Sequence, residues 1–347
     1  MTGDPETFLA LPDRDRRDIF EAAARRLNTL PGYVEKDFWV CLVLDVLYHG
    51  VPHEHPKLLF KGGTSLSKAF GLIHRFSEDI DLVVHRSGLG FDGQRDPTAA
   101  TGLSKNKRAA LFKELKASCS AYVQGELQIA LTTRIDEIAE GCRVCSDEDD
   151  IDRQTLFVEY PTLYPSSDVA YVAPRVRIEA GARSALEPSL NCTVAPYIAS
   201  ELPGLSFEVG SIRGIAPERT YWEKLLILHG VYCGYRDKQR RPADRDRISR
   251  HYYDAAMITP TETGRSALSN SDLLDDVRNH NLIAFPQAWK RFEEAVVGSV
   301  RLVPPAELGR VIERDYGAMQ GMILGEIPDF GWVVEQLQRA ETAINNA

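Results

Sequence analysis

A chain of 347 residues with 44% hydrophobic side chains can bury a full core and divide into two or three domains. Its formal charge of −9 excludes a protein that coats nucleic acid with its whole surface, because phosphate contacts need clustered Lys and Arg. The apolar stretch Phe38 to Tyr48 contains Asp45 and falls far short of the roughly 20 residues of a membrane helix, and the start Met-Thr-Gly-Asp-Pro-Glu lacks signal-peptide order, so a cytoplasmic protein without membrane attachment is expected.

Along the chain, Ile19, Phe20, Ala23, Ala24 and Leu27 recur at helical spacing and predict a helix over 13–28. A second helix follows Pro31-Gly32, running from Val34 to Tyr48 with Phe38, Trp39, Leu42, Val43, Val46 and Leu47 as its buried stripe. Lys57 to Phe60 reads as a short strand, Ser65 to Phe70 as a helix and Ile80 to Val84 as another strand. Gly, Asp and Pro dominate between Arg86 and Thr101, which marks a loop before a long amphipathic helix over Lys105 to Leu127. Leu156 to Tyr160 and Arg175 to Ala180 are expected strands, and Pro217 to Tyr235 opens a mostly helical remainder. Strands bracketing a Gly-led helix predict a small mixed sheet.

Of the six cysteines, only Cys142 and Cys145 are spaced like metal or redox ligands. No second Cys pair or His pair accompanies them, so incidental reduced thiols are expected. The adjoining Asp147-Glu148-Asp149-Asp150 reads as a solvated acidic loop. Between Arg236 and His251 the cations Arg236, Lys238, Arg240, Arg241, Arg245, Arg247 and Arg250 face only Asp237, Asp244 and Asp246. That stretch is either a docking surface for RNA or a triphosphate, or an exposed helix edge and loop.

The chemistry concentrates between Phe60 and Val84. Strand side chains alternate, so Asp79 and Asp81 project to one side while Ile80, Leu82 and Val84 project toward a core. Two such carboxylates suit Mg²⁺ or Mn²⁺ better than zinc. Upstream, Gly62-Gly63-Thr64-Ser65 enters a helix with free backbone N–H groups and hydroxyls, an arrangement that binds phosphate. A P-loop is excluded because Lys61 precedes the glycines and Lys68 follows Ser67, and no Gly-x-Gly-x-x-Gly fingerprint is present. On the later strand, Arg175, Arg177 and Glu179 alternate with Val176, Ile178 and Ala180, which presents a third carboxylate flanked by two guanidinium groups. Glu179 is a candidate either for the metal or for the base toward an attacking hydroxyl.

Residues 60–84 resemble the first motif of the AbiEii/AbiGii toxin family, within the DNA polymerase β-like nucleotidyltransferase superfamily. Glu35-Lys36-Asp37-Phe38-Trp39-Val40, Val176-Arg177-Ile178-Glu179, Thr220-Tyr221-Trp222-Glu223-Lys224-Leu225 and Arg250-His251-Tyr252-Tyr253-Asp254 resemble further family motifs in the same order. The resemblance implies an α/β (α+β) nucleotidyltransferase core with a mixed sheet over 1–215 and a mostly helical C-terminal region over 216–347. It implies catalytic roles for Asp79, Asp81, Lys224 and Asp254, with Ser77 and Lys224 beside the triphosphate. It further implies a toxin of a toxin–antitoxin or phage-defence system that moves a nucleoside monophosphate from an NTP to an acceptor, most plausibly the tRNA 3′ end, with a cognate antitoxin as partner. Arg240, Arg241 and Arg245 are then the expected RNA contacts. Nucleotidylation of a protein or small molecule, and a nucleotide-binding regulator without turnover, are the alternatives.

Overall fold

A computed structural model describes residues 4–164, 173–243 and 246–346. The chain forms two compact units, one of Met1–Ala69 with Phe76–Ile215 and one of Phe70–Arg75 with Ala216–Ala347.

The first unit is built on one mixed seven-stranded sheet with strands β1 (Leu58–Lys61), β2 (Asp79–Val84), β3 (Arg143–Ser146), β4 (Thr155–Glu159), β5 (Arg175–Gly181), β6 (Ser189–Val194) and β7 (Val209–Ile215). Their spatial order is β3-β4-β5-β2-β1-β7-β6. β2 lies at the centre, antiparallel to β1 and parallel to β5. Helices α1 (Asp4–Leu9), α2 (Asp13–Leu27), α3 (Pro31–Asp45), the single turn α4 (Gly62–Thr64), α5 (Lys105–Tyr122) and α6 (Gln128–Ile138) complete the unit. Alternation decides what each sheet face does. Ile80, Leu82 and Val84 of β2, Val176, Ile178 and Ala180 of β5, and Leu156 and Val158 of β4 join the buried side chains of α3, α5 and α6 in one core. The opposite face carries the small apolar cluster Leu59, Val83 and Ile215, with Phe157 among largely polar side chains.

The second unit is helical: α7 (Pro217–Lys238), α8 (Ser249–Ile258), α9 (Glu262–Leu268), α10 (Ser271–Ala284), α11 (Ala306–Met319) and α12 (Phe330–Asn345). Pro217 at the first turn of α7 and the left-handed Gln239 after its last residue fit the usual start and stop of a helix. Phe70–Arg75 joins this unit through a bridge from Arg75 to Ile323 and a hydrogen bond from the Leu324 N–H to the His74 carbonyl.

Several elements differ from their sequence expectations. α3 is not a half-buried stripe: every residue from Gly32 to Leu44 is buried. The helix expected over 105–127 continues through a π-helical turn, Val123–Leu127, into α6. The acidic run is the exposed turn expected, with the addition that the Asp150 carboxylate ties it together by accepting from the N–H groups of Asp152 and Gln154 and from the Thr155 hydroxyl. All six cysteines are free, and among the described residues no group of three His, Cys, Asp or Glu side chains converges as metal ligands.

Candidate active site

Strand register assembles the acidic face. In the rows crossing the sheet, Lys61 of β1, Asp81 of β2, Glu179 of β5 and Thr155 of β4 are successive neighbours, and Asp79, Arg177 and Phe157 form the next row on the same face. Two cavities open there. One of about 260 Å³ is lined by Lys61, Asp81, Arg177 and Glu179, together with Asp150 and Asp152 of the acidic turn. Another, of about 330 Å³, is lined by Lys36, Glu78, Asp79, Arg177, Asp147 and Asp149. Arg177 stands in both, ion-paired to Glu179 and 3.4 Å from Asp147. Burial and the neighbouring carboxylates Glu78, Asp81 and Glu179 push Asp79 up to about 6.

The chain between β1 and β2 turns on Gly62. Its φ of +80° lies in the region that favours glycine, and a Cβ there would collide with the Asp81 carboxylate. The turn that follows is tied back to β2. The Thr64 hydroxyl donates to the Asp79 carbonyl, which can only accept, so the 2.8 Å contact between Ser77 and Thr64 has Ser77 donating. The Ser65 hydroxyl donates to the Gly62 carbonyl at 3.0 Å. Thr64 and Ser65 are fully buried and the Ser65 N–H donates to the Gly62 carbonyl, so these two residues hold the loop, and the partly exposed backbone of Gly62 and Gly63 is what the segment offers to a ligand.

α3 grips this region through three consecutive charges that the apolar pattern did not single out. Glu35 accepts from the Leu163 N–H at 2.7 Å and the Thr162 hydroxyl at 2.5 Å. Lys36 pairs with Glu78 at 2.5 Å, immediately before Asp79. Asp37 pairs with Lys68 at 2.7 Å and accepts from the Tyr197 N–H at 2.6 Å. The signal available in the sequence was the charge triplet itself, set inside an apolar run.

Lys224 and Asp254 come together in the second unit. Lys224 lies 2.7 Å from one Asp254 oxygen, and Arg75 donates to both, at 2.7 and 2.8 Å. Exposures of 6% for Lys224, 5% for Arg75 and 0% for Asp254 make this a buried triad with one positive charge in excess. The two cations hold the Asp254 carboxyl well below the usual range against the opposing effect of burial, and burial lowers Lys224.

Of the expected RNA contacts, Arg240 lies over the Trp289 ring and Arg241 is exposed, 3.8 Å from Glu307, while Arg245 lies outside the described residues. As to metal, the chemistry of Asp79 and Asp81 fits a hard divalent cation. Glu179 is turned to Arg177 and does not complete a three-ligand group.

A family model described as the nucleotidyl transferase AbiEii toxin of type IV toxin–antitoxin systems matches residues 45–339. Among solved structures, the chain is similar to MenT4, a nucleotidyltransferase toxin from Mycobacterium tuberculosis H37Rv, at 16% identity and a TM-score of 0.50, over 95% of this chain and 90% of that one. At that identity the likeness shows the fold. No curated protein matches the chain.

Proposed function

Since the chain belongs to the AbiEii nucleotidyltransferase toxins of type IV toxin–antitoxin systems, we propose that it transfers a nucleoside monophosphate from an NTP to the 3′ end of tRNA, in a Mg²⁺- or Mn²⁺-dependent reaction that a cognate antitoxin holds in check. The observation that carries this reading is the acidic face of β2, with Asp79 and Asp81 side by side and the Asp81 carboxylate against the Gly62 backbone. In this reading the acceptor hydroxyl attacks the α-phosphate in line, the new P–O bond forms as the bond to the β-phosphate breaks, and pyrophosphate leaves. Held by Asp79 and Asp81, the metal supplies Lewis-acid stabilisation of the phosphate charge. The N–H groups of Gly62 and Gly63 meet phosphate oxygens, with the buried Thr64 and Ser65 fixing the turn behind them and the Ser77 hydroxyl against Thr64. Glu179, a register neighbour of Asp81, is the acceptor for the hydroxyl proton. The positive excess around Asp254 suits Lys224 to a phosphate anion. Stalled translation, of use in phage defence, follows when tRNA with a free 3′ end runs out.

The test is incubation of the protein with each labelled NTP, Mg²⁺, and total RNA or total protein. Label in RNA supports tRNA transfer, label in protein moves the acceptor to another class, and bound but unincorporated nucleotide makes the chain a regulator. Asp79→Asn and Asp81→Asn are each expected to abolish incorporation while the far-ultraviolet circular dichroism stays native, because partly exposed carboxylates contribute little to packing. Near-normal transfer by either variant removes the acids from the site.

A further inference from the structure

Gly230 and Gly234 lie one turn apart on α7, and a short segment of the C-terminal half is seated directly on them. A Cβ on Gly234 would come 2.7 Å from the Trp289 ring, and one on Gly230 would come 2.9 Å from Cγ of Lys290. The 3₁₀ turn Ala288–Lys290 therefore packs on bare helix backbone. Just past the end of α7 the chain folds back, with the Arg240 N–H donating to the Gly234 carbonyl at 3.1 Å. This sets the Arg240 guanidinium 4.3 Å from the centroid of the same indole, with the Lys290 ammonium 5.5 Å from it on its own account.

The charge around that indole is unbalanced. Among the described residues no carboxylate pairs with Arg240 or Lys290, whereas Arg236 and Arg291 of the same unit are neutralised by Asp237 and Glu294. Burial and the nearby Arg240 charge lower the Lys290 ammonium from its ordinary range. Two cations that repel each other are held around one half-buried aromatic ring, with the exposed Arg241 adjoining in sequence. An acidic protein surface would engage the cations and leave the ring unused. A single-stranded nucleic acid uses both, because every base has a face to stack on an aromatic ring or a guanidinium plane and every linkage has a phosphate.

We propose that Trp289, Arg240 and Lys290 form a stacking platform for the unpaired end of the acceptor RNA, a role that rests on the RNA reading of the acceptor given above. It assigns a function to part of the chain beyond residue 260, where the residue patterns alone marked no site.

The experiment measures the affinity of the full chain for bulk tRNA, whose 3′ end is single-stranded, and for a blunt RNA duplex, using wild type, Trp289→Ala, Trp289→Phe, Arg240→Gln and Lys290→Gln. Trp289→Ala is expected to weaken tRNA binding about tenfold, the effect of losing one stacked base, and to change duplex binding little. Trp289→Phe keeps a ring and retains most of the affinity. Wild-type affinity for tRNA in Trp289→Ala, or an equal loss on the duplex, overturns the platform. Should Trp289→Ala fail to fold, Arg240→Gln and Lys290→Gln decide: a several-fold loss for tRNA in each supports the proposal, and no loss in either overturns it. Failure of the underlying reading looks different, since wild type then binds no tRNA at all, and that result takes the platform with it.

Discussion

At the scale of single residues, Gly62 and Asp254 show two ways in which one side chain is fixed by its surroundings. Gly62 combines a positive φ with contact against the Asp81 carboxylate, so Gly62→Ala meets both backbone strain and collision. Strain alone is of the order of 1–3 kcal/mol, and relief of the collision must move Asp81. The variant is therefore expected to lose at least tenfold in kcat as well as stability, measured by single-turnover transfer and denaturant unfolding. Full activity would mean that the position of Asp81 is not critical. Asp254 is the only carboxylate in a triad with Arg75 and Lys224. Asp254→Asn leaves two buried cations without their counter-charge, at a cost of about 3–5 kcal/mol. The folded-state pKa is depressed, so the stabilisation is fully present above the ordinary carboxylate value and is lost as pH falls below it toward the folded value. Unfolding at about pH 7 and about pH 3 should show the gap between wild type and variant narrowing on acidification; a constant gap would count against an ionised Asp254.

At the scale of elements, α3 acts as a brace whose three charges each reach different partners. Lys36→Met removes the cation beside Glu78, next to Asp79, and is expected to cost about 1–3 kcal/mol and to slow transfer. Adding Glu78→Gln should recover part of that stability by removing the stranded charge; a double variant no more stable than Lys36→Met would show that the pair is not the cause. Nothing in the apolar periodicity of Phe38 to Leu47 announces this, because partners for Glu35, Lys36 and Asp37 come from segments 31–160 residues away. The legible strands were β1 and β4, read as short apolar runs, and β2 and β5, read by strict alternation. β2 and β5 carry Asp79, Asp81, Arg177 and Glu179 opposite an unbroken apolar row, so their face and their acids could be read directly. β3 and β6 are sheet edges with mostly exposed or half-exposed side chains, and β7 carries two glycines, so none has the pattern that marks a strand. The turn at 147–152 read as solvent-exposed, and Glu148, Asp149 and Asp152 are; what the sequence does not display is that Asp147 and Asp150 accept from the turn's own backbone and that Asp147 meets Arg177.

At the scale of the whole molecule, a protein of net charge −9 that engages RNA must do so through a local excess of cations, and the Arg236 to Arg250 stretch is only partly neutralised. Arg236 is held by Asp237 and Glu294 and Arg241 lies 3.8 Å from Glu307, whereas no carboxylate among the described residues pairs with Arg240; Arg245 lies outside the described residues. Counterion release makes the number of phosphate contacts measurable, because each one lost from a single strand flattens the dependence of log affinity on log salt by about 0.7. Replacing Arg240, Arg241 and Arg245 together with Gln is therefore expected to weaken tRNA binding and to lower the slope by up to about 2. Titrations of wild type and the triple variant at several salt concentrations separate this from indirect effects. A variant that binds more weakly with an unchanged slope has lost shape rather than phosphate contacts, and identical affinity and slope would place the RNA surface elsewhere on the chain.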